Sequence, residues 1–382
     1  MNFKNCKLGM RIDFMASQEN KSAISPASTE NTIFTGHIYI FHAFDVGDDI
    51  SLGKVQKLRS INNLPLNLPK YFKNYHVPLN IELPHPNDSA RCTGVKIYNF
   101  GGMSLTYKIP FKDSLENLRK EFSNLYDQYR EQSFTDARLV YSRIEGNIKK
   151  PHFFVTNAAY IVIQVDPQPG KIDAVTLKSD FGALIASTLR FETQTLSEAQ
   201  KNDILEPALG YFRGDLIVVD IDAAFVCDPE YEEILDLFEF ANIQYLELQY
   251  FDRLLDQQLN RLYEDDRKSL PLKSYLPFVE TDDKVRYLSR LKVDISVITE
   301  RLENSIKLAG EPYFTELYEL LIKKLELREW KASIDRKLNI IRDVQDIYQH
   351  QIDSIREDIL TVLIIILIFV ELIVGVLLHY MK

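Results

Sequence analysis

The stretch Ile359-Leu-Thr-Val-Leu-Ile-Ile-Ile-Leu-Ile-Phe-Val-Glu-Leu-Ile-Val-Gly-Val-Leu-Leu378 carries one charged side chain, Glu371. At about 1.5 Å per residue, an α-helix over 359–378 reaches roughly 30 Å, the thickness of a bilayer's hydrocarbon core. The stretch therefore reads as a transmembrane helix in contact with membrane lipid, and only His379, Tyr380, Met381 and Lys382 follow it. A chain of this plan is tail-anchored, with a large body on one side of the membrane. Arg336, Lys337, Arg342 and Arg356 precede the span and Lys382 follows it. By the positive-inside rule the body faces the cytoplasm or a matrix. The expected location is the bacterial inner membrane, or the mitochondrial inner membrane in a eukaryote.

Moving away from the span, apolar residues recur at helical spacing. One stripe runs through Ile334, Leu338, Ile341, Tyr348, Ile352 and Ile355 and enters the span with no Pro or Gly between. A short helix is expected from Tyr313 to Leu327. Another stripe, Val285, Leu288, Leu291, Ile295, Ile298 and Leu302, ends at Gly310-Glu311-Pro312. The longest runs through Ile234, Leu237, Ala241, Tyr245, Leu248, Leu255, Leu259 and Leu262. Residues 229–358 thus read as a helical, coiled-coil-like stalk whose stripes require burial, so a homo-oligomer is expected. Between 229 and 266 eleven acidic side chains stand against Arg253 and Arg261. That helix is either a solvated face or a docking surface for a basic protein partner.

Upstream of Asp228-Pro229 the texture is that of strands. Phe34 to Val46 is rich in β-branched and aromatic residues and closes on Gly47-Asp48-Asp49. Pro65, Pro69, Pro78, Pro84 and Pro86 break every period over 64–86, which reads as an extended surface connection. Two alternating runs from Val95 to Ile109 around Gly101-Gly102 predict a hairpin. Ser114 opens a helix to about Arg130, and strands at 158–165 and 215–226 flank helical patterns at 180–191 and 196–205. The expected class is α+β, with a mixed or antiparallel sheet domain over 34–228. Residues 1–33, rich in Ser, Asn, Glu and Thr over 16–32, read as a disordered arm.

The totals exclude several functions. Of 382 residues 46% are hydrophobic and 26% charged, too polar for a polytopic membrane protein. A net charge of −10 disfavours nucleic acid as a ligand. Cys6, Cys92 and Cys227 fit no metal or disulfide pattern. The histidines at 37, 42, 76, 85, 152, 350 and 379 include no i, i+4 pair, and His37 and His42 fall on opposite faces of their strand. They read as structural. No Walker A sequence, dinucleotide fingerprint or GxSxG elbow is present, so neither a cofactor nor a catalytic activity is expected.

Two features carry candidate chemistry. Glu371 lies about 18 Å into the span from Ile359 and about 10 Å from Leu378. An acid there costs a few kcal/mol unless it meets a polar partner, so it is either a contact point for another membrane helix or a protonated side chain tolerated near the interface. Asp220 and Asp222, two apart in an expected strand, would share a face, and paired carboxylates hold Mg²⁺ or divide acid and base roles. The structural alternative assigns them and their neighbours Asp215 and Asp228 to turns and caps, with Pro229 at the first helical position.

The run Arg213-Gly-Asp-Leu-Ile-Val-Val-Asp-Ile-Asp-Ala-Ala-Phe-Val-Cys-Asp-Pro229, followed by Leu237-Phe-Glu-Phe-Ala-Asn-Ile-Gln-Tyr-Leu-Glu-Leu-Gln-Tyr-Phe-Asp252, resembles a group of bacterial membrane proteins. Their plan of an α+β body, helical hairpins and a terminal span with an embedded Glu is similar to the "required for meiotic nuclear division" family. That resemblance is clearest from about 210 onward and implies architecture, membrane location and a scaffold-like role without a reaction. The expected function is a tail-anchored scaffold that self-associates and holds a partner at the membrane. The rival expectations are a CorA-like divalent cation transporter, whose family needs two spans and a Gly-Met-Asn signature, and a metal-dependent enzyme built on Asp220 and Asp222.

Overall fold

The computed structural model describes residues 32–65, 77–84, 92–153, 157–168, 172–265, 283–304 and 311–380. The expected arm at 1–33, apart from Thr32 and Ile33, and much of the proline-rich connection lie outside them. The first strand, β1 (Ile33–Asp45), shows why a sheet forms at all. Its alternation sends Tyr39, Phe41 and Ala43 into one buried cluster and Phe34, Ile38, Ile40 and Phe44 into another. A strand apolar on both faces must lie between two covering layers.

Strands β2 (Asp49–Ile50), β3 (Leu79–Ile81), β4 (Cys92–Ile97), β5 (Gly102–Ser114), β6 (Ile148–Lys149), β7 (Ala158–Val165), β8 (Leu216–Val219) and β9 (Ala223–Cys227) follow. Among the described residues, seven of nine strands make one sheet in the order β3-β4-β5-β1-β7-β9-β8, while β2 and β6 pair by themselves. All neighbours in the large sheet are antiparallel except β7 and β9, so it is mixed, as expected for the α+β class. The predicted hairpin turns at Gly101, where φ is +118° and an added Cβ would stand 1.7 Å from the Gly47 carbonyl oxygen. Only glycine fits there. The connection over 64–86 includes β3 and so contributes an edge strand as well as a loop.

One face of the sheet is covered by four helices, α2 (Leu115–Ile144), α3 (Ala174–Asp180), α4 (Gly182–Leu189) and α5 (Glu198–Leu205), after a short α1 (Leu52–Val55). Ser114 caps α2 as read, accepting a hydrogen bond from the Asn117 N–H at 3.2 Å. The helix continues fourteen residues beyond the expected end near Arg130, to Ile144. The polar run that hid this extension is itself buried: Ser133 and Asp136 lie on the same stripe as Ala137, Val140 and Ile144, and the Tyr107 hydroxyl donates to Asp136 Oδ2 at 2.7 Å.

The other face is covered by α6 (Tyr231–Asp265), α7 (Asp283–Asn304), α8 (Pro312–Lys324) and the first part of α9 (Leu327–Tyr380). Leu237, Phe238 and Ala241 of α6 share a core with Tyr39, Phe41 and Tyr160 of the sheet. Ile234, Leu248, Leu255, Leu288, Ile295, Ile334, Leu338 and Ile341, all stripe residues, are likewise buried within the chain. At these positions the stripes find their cover within the chain, while Tyr348, farther along the last stripe, is half-buried. Each such side chain contributes about 1.5–3 kcal/mol by leaving water.

Candidate functional site

Helix α9 runs 54 residues without interruption, roughly 80 Å. Its first turns complete the core through Leu327, Ile334, Leu338 and Ile341. Its last 25 residues, Arg356–Tyr380, are long and apolar enough to cross a membrane and none of that segment is buried. A core helix would show the reverse. Every side chain from Leu360 to Tyr380 is exposed, Glu371 among them, so Glu371 interrupts an otherwise apolar surface.

The other predicted pair is separated by the fold. Asp220 and Asp222 sit in the turn between β8 and β9, not within a strand, because the expected run 215–226 is a hairpin whose tip is Asp220-Ile221-Asp222. Asp220 is buried, with its carboxylate 2.5 Å from Arg190 Nε and 3.8 Å from Lys324 Nζ. Burial pushes its pKa up while Arg190 and Lys324 pull it back. Asp222 is exposed. The two carboxylates therefore share no face, and among the described residues no group of three or more His, Cys, Asp or Glu is placed to hold a metal ion. Asp220 instead ties both covering layers to the sheet, Arg190 following α4 and Lys324 ending α8.

The acidic helix shows a similar reversal. Glu239, Glu247 and Asp252 of α6 are buried, directed at the sheet or at α9 and away from water. Lys96 of β4 lies 2.6 Å from Asp236 and 2.6 Å from Glu239, and the Thr106 hydroxyl donates to Glu239 at 3.1 Å. Burial works against the Lys96 cation, but Glu239 and Asp236 outweigh it and raise the pKa. Held as a cation, Lys96 is neither base nor nucleophile. These groups border an open cavity of about 300 Å³ beside Thr93 and Lys108. On the far side of α6, Asp252 pairs with Lys337 at 2.7 Å and accepts from Ser333 at 2.7 Å, and Asp256 pairs with the same lysine at 2.7 Å. Among the described residues, Glu230 and Glu232 at the start of the helix and Asp256 farther along remain exposed.

A second buried cluster lies where β1 ends. The Gly47 N–H donates to Asp45 Oδ1 at 3.1 Å and His152 Nε2 lies 3.0 Å from Asp45 Oδ2. His152 also stacks on Tyr250 of α6, ring centroids 4.9 Å apart. Burial disfavours the His152 cation, yet the Asp45 carboxylate overcomes this and raises its pKa. Glu247, buried opposite, has an Oε1 without a hydrogen-bond partner among the described residues. Burial first, then Asp45 and Asp48, push its pKa far above the usual carboxylate range. His42, buried in β1 beside Asn157, is held neutral by desolvation, its pKa lowered to about 3.

With this geometry in place, comparison with known proteins gives one family. Residues 35–233, just over half of the chain, match the family described as "Uncharacterized protein MJ0711, N-terminal domain". The chain belongs to this family. The MJ0711 protein of Methanocaldococcus jannaschii is 28% identical over 198 residues, covering 50% of this chain. The match spans 59% of that relative's length. No solved structure matches.

The MJ0711 N-terminal domain contains the sheet, Lys96, Asp45, His152 and Asp220, and stops as α6 begins. Asp236, Glu239 and Glu247, which complete its buried charges, come from the sequence beyond it. Sequence reasoning missed these pairings because their halves lie more than 100 residues apart. A local signal did exist: Glu239 in Leu237-Phe-Glu-Phe-Ala241 and Glu247 in Leu246-Glu-Leu248 are acids flanked by apolar residues on a helix.

Proposed function

We propose that this protein is a non-catalytic, single-pass membrane scaffold whose α+β body is held at a fixed distance from the bilayer by α9. The observation that carries this reading is the continuity of that helix, from core residues such as Ile334 and Ile341 to the bare apolar surface of Arg356–Tyr380. An exposed apolar surface of this extent requires lipid or protein cover. The basic residues before the segment support a cytoplasmic or matrix-side body. The resemblance read from the sequence to the "required for meiotic nuclear division" family supports the same role, and Glu371 is the point at which a neighbouring span, from a partner or a second copy, makes contact.

The test is alkaline carbonate extraction of membranes carrying the full chain, followed by crosslinking and mass spectrometry of wild type and Glu371→Leu. The expected result is retention in the membrane pellet for both and loss of crosslinked species in the variant. Release of the wild-type chain by carbonate overturns anchoring. An unchanged crosslinking pattern overturns the role of Glu371.

A further inference from the structure

At the end of the body remote from the apolar segment, the turn before β8 meets the starts of α6 and α8 around a cavity of about 360 Å³. Its wall is aromatic. Tyr211 and Phe212 are 67% and 66% exposed, unusual for rings in the body of a folded protein. Tyr211 packs on Phe212 with centroids 4.8 Å apart and on Tyr313 at 5.5 Å, and Tyr313 meets Phe314 at 5.5 Å. An edge-linked set of four rings thus lines one space, two of them on a turn and two on a helix.

The same space is lined by carboxylates. Asp215 and Asp228 are buried at 6% and 4% exposure, and Glu230 and Glu311 stand exposed at the rim. Asp228 accepts from the Glu230 N–H at 2.7 Å and from the Tyr313 hydroxyl at 3.0 Å; Asp215 accepts from the Phe212 N–H at 2.7 Å. Among the described residues no Lys, Arg or His lines the cavity, and nearby Arg213 pairs with Asp173 at 3.6 Å. Burial, with Asp228 and Glu230 adding to it, raises the Asp215 pKa. Among the described residues, four acids and four rings form a wall whose charge and quadrupoles both favour one kind of guest.

We infer that this cavity binds an organic cation, an ammonium or guanidinium group carrying a short apolar stem. The rings contact the stem and the face of the cation while the carboxylates supply the counter-charge. Helices α6 and α9 run the same way, since Trp330 meets Tyr245, Ser333 meets Asp252 and Lys337 meets Asp256. The cavity, at the start of α6, therefore lies on the order of 50 Å from Arg356 along the helix axes. A lipid headgroup is out of reach, so the cation is either the tip of a Lys or Arg side chain or a small free molecule. The choice against lipid rests on the anchoring reading; the cation chemistry does not.

The test is calorimetric titration of the full chain in nanodiscs with butylguanidinium and butyltrimethylammonium, with butanol as the uncharged control. Saturable heat is expected for a cation and not for butanol. Tyr211→Ala and Glu311→Gln, both at exposed positions and checked by an unchanged melting temperature, should each weaken binding about tenfold. Capped Ala-Arg-Ala and Ala-Lys-Ala peptides separate the sources: binding as tight as that of the free cation identifies a side chain of a polypeptide, whereas rejection of the peptides identifies a small free cation. Absence of saturable heat with both cations overturns the inference. So does equal binding of butanol, or wild-type affinity in both variants.

Discussion

A carboxyl group that keeps its proton behaves as a small polar core residue, and Glu247 is placed to do so beneath the end of β1. Its folded-state pKa is raised above the ordinary value near 4.5. The stability this contributes is complete below that value and is lost as pH rises through the folded pKa, at up to about 1.4 kcal/mol per pH unit. His42 has the opposite sign: neutral when folded, it favours the fold above about pH 6.5 and ceases to do so as pH falls toward about 3. Glu247→Gln, neutral at every pH, should therefore flatten the alkaline side of a stability profile recorded by thermal melts from pH 5 to 9. An equally steep alkaline loss in the variant would show that Glu247 is already ionised in the fold. At this scale the sequence was legible only in part. The buried acids of α6 are visible as interruptions of an apolar stripe, but their partners on β4 and at Asp45 are set by strand register, which no local pattern encodes.

Elements were more legible than pairs, because periodicity is local. The long helices appear where their stripes predict, β1 and β7 follow their alternation to within about two residues, and β5 runs five residues past its expected end at Ile109, to Ser114. The errors have physical causes. Helix α2 overran its expected end because polar Ser133 and Asp136 face inward, Ser133 donating to the Arg130 carbonyl and Asp136 accepting from the Tyr107 hydroxyl. The run 215–226 divided into a hairpin because Asp220 is drawn to Arg190 and Lys324, turning the chain there. The consequential element is α9, whose rigidity between body and apolar segment has a direct check. Spin labels at exposed positions 329 and 358 should report a narrow distance distribution near roughly 44 Å. Asp346→Pro, which removes a helical hydrogen bond and clashes with the preceding turn, should shorten and broaden that distribution. A distribution unmoved by proline would mean that the spacer is not a continuous helix.

For the molecule as a whole, the sequence separates a β-rich half from a helical half, and the structure joins them through one core. What hid the union is that a stripe announces its need for cover without naming the cover. Here α6 lies on the sheet, and α7, α8 and α9 gather around it. Leu246→Ala, at a fully buried position of α6, should cost about 2–5 kcal/mol. If the halves form one cooperative unit, amide hydrogen exchange in β1 and β7 will accelerate as much as in α6. Acceleration confined to the helices would mark two independent units.

Under the proposed anchoring, the unbroken passage of α9 from core to apolar segment would also make the protein a lever. A transmembrane helix in a bilayer thinner than its apolar length leans over, commonly by about 20°. With a stiff arm on the order of 50 Å, such a lean swings the far end of the body sideways by roughly 17 Å. Bilayer thickness would then set where the distal aromatic wall points, and a change in lipid composition would re-aim it without altering a single internal contact.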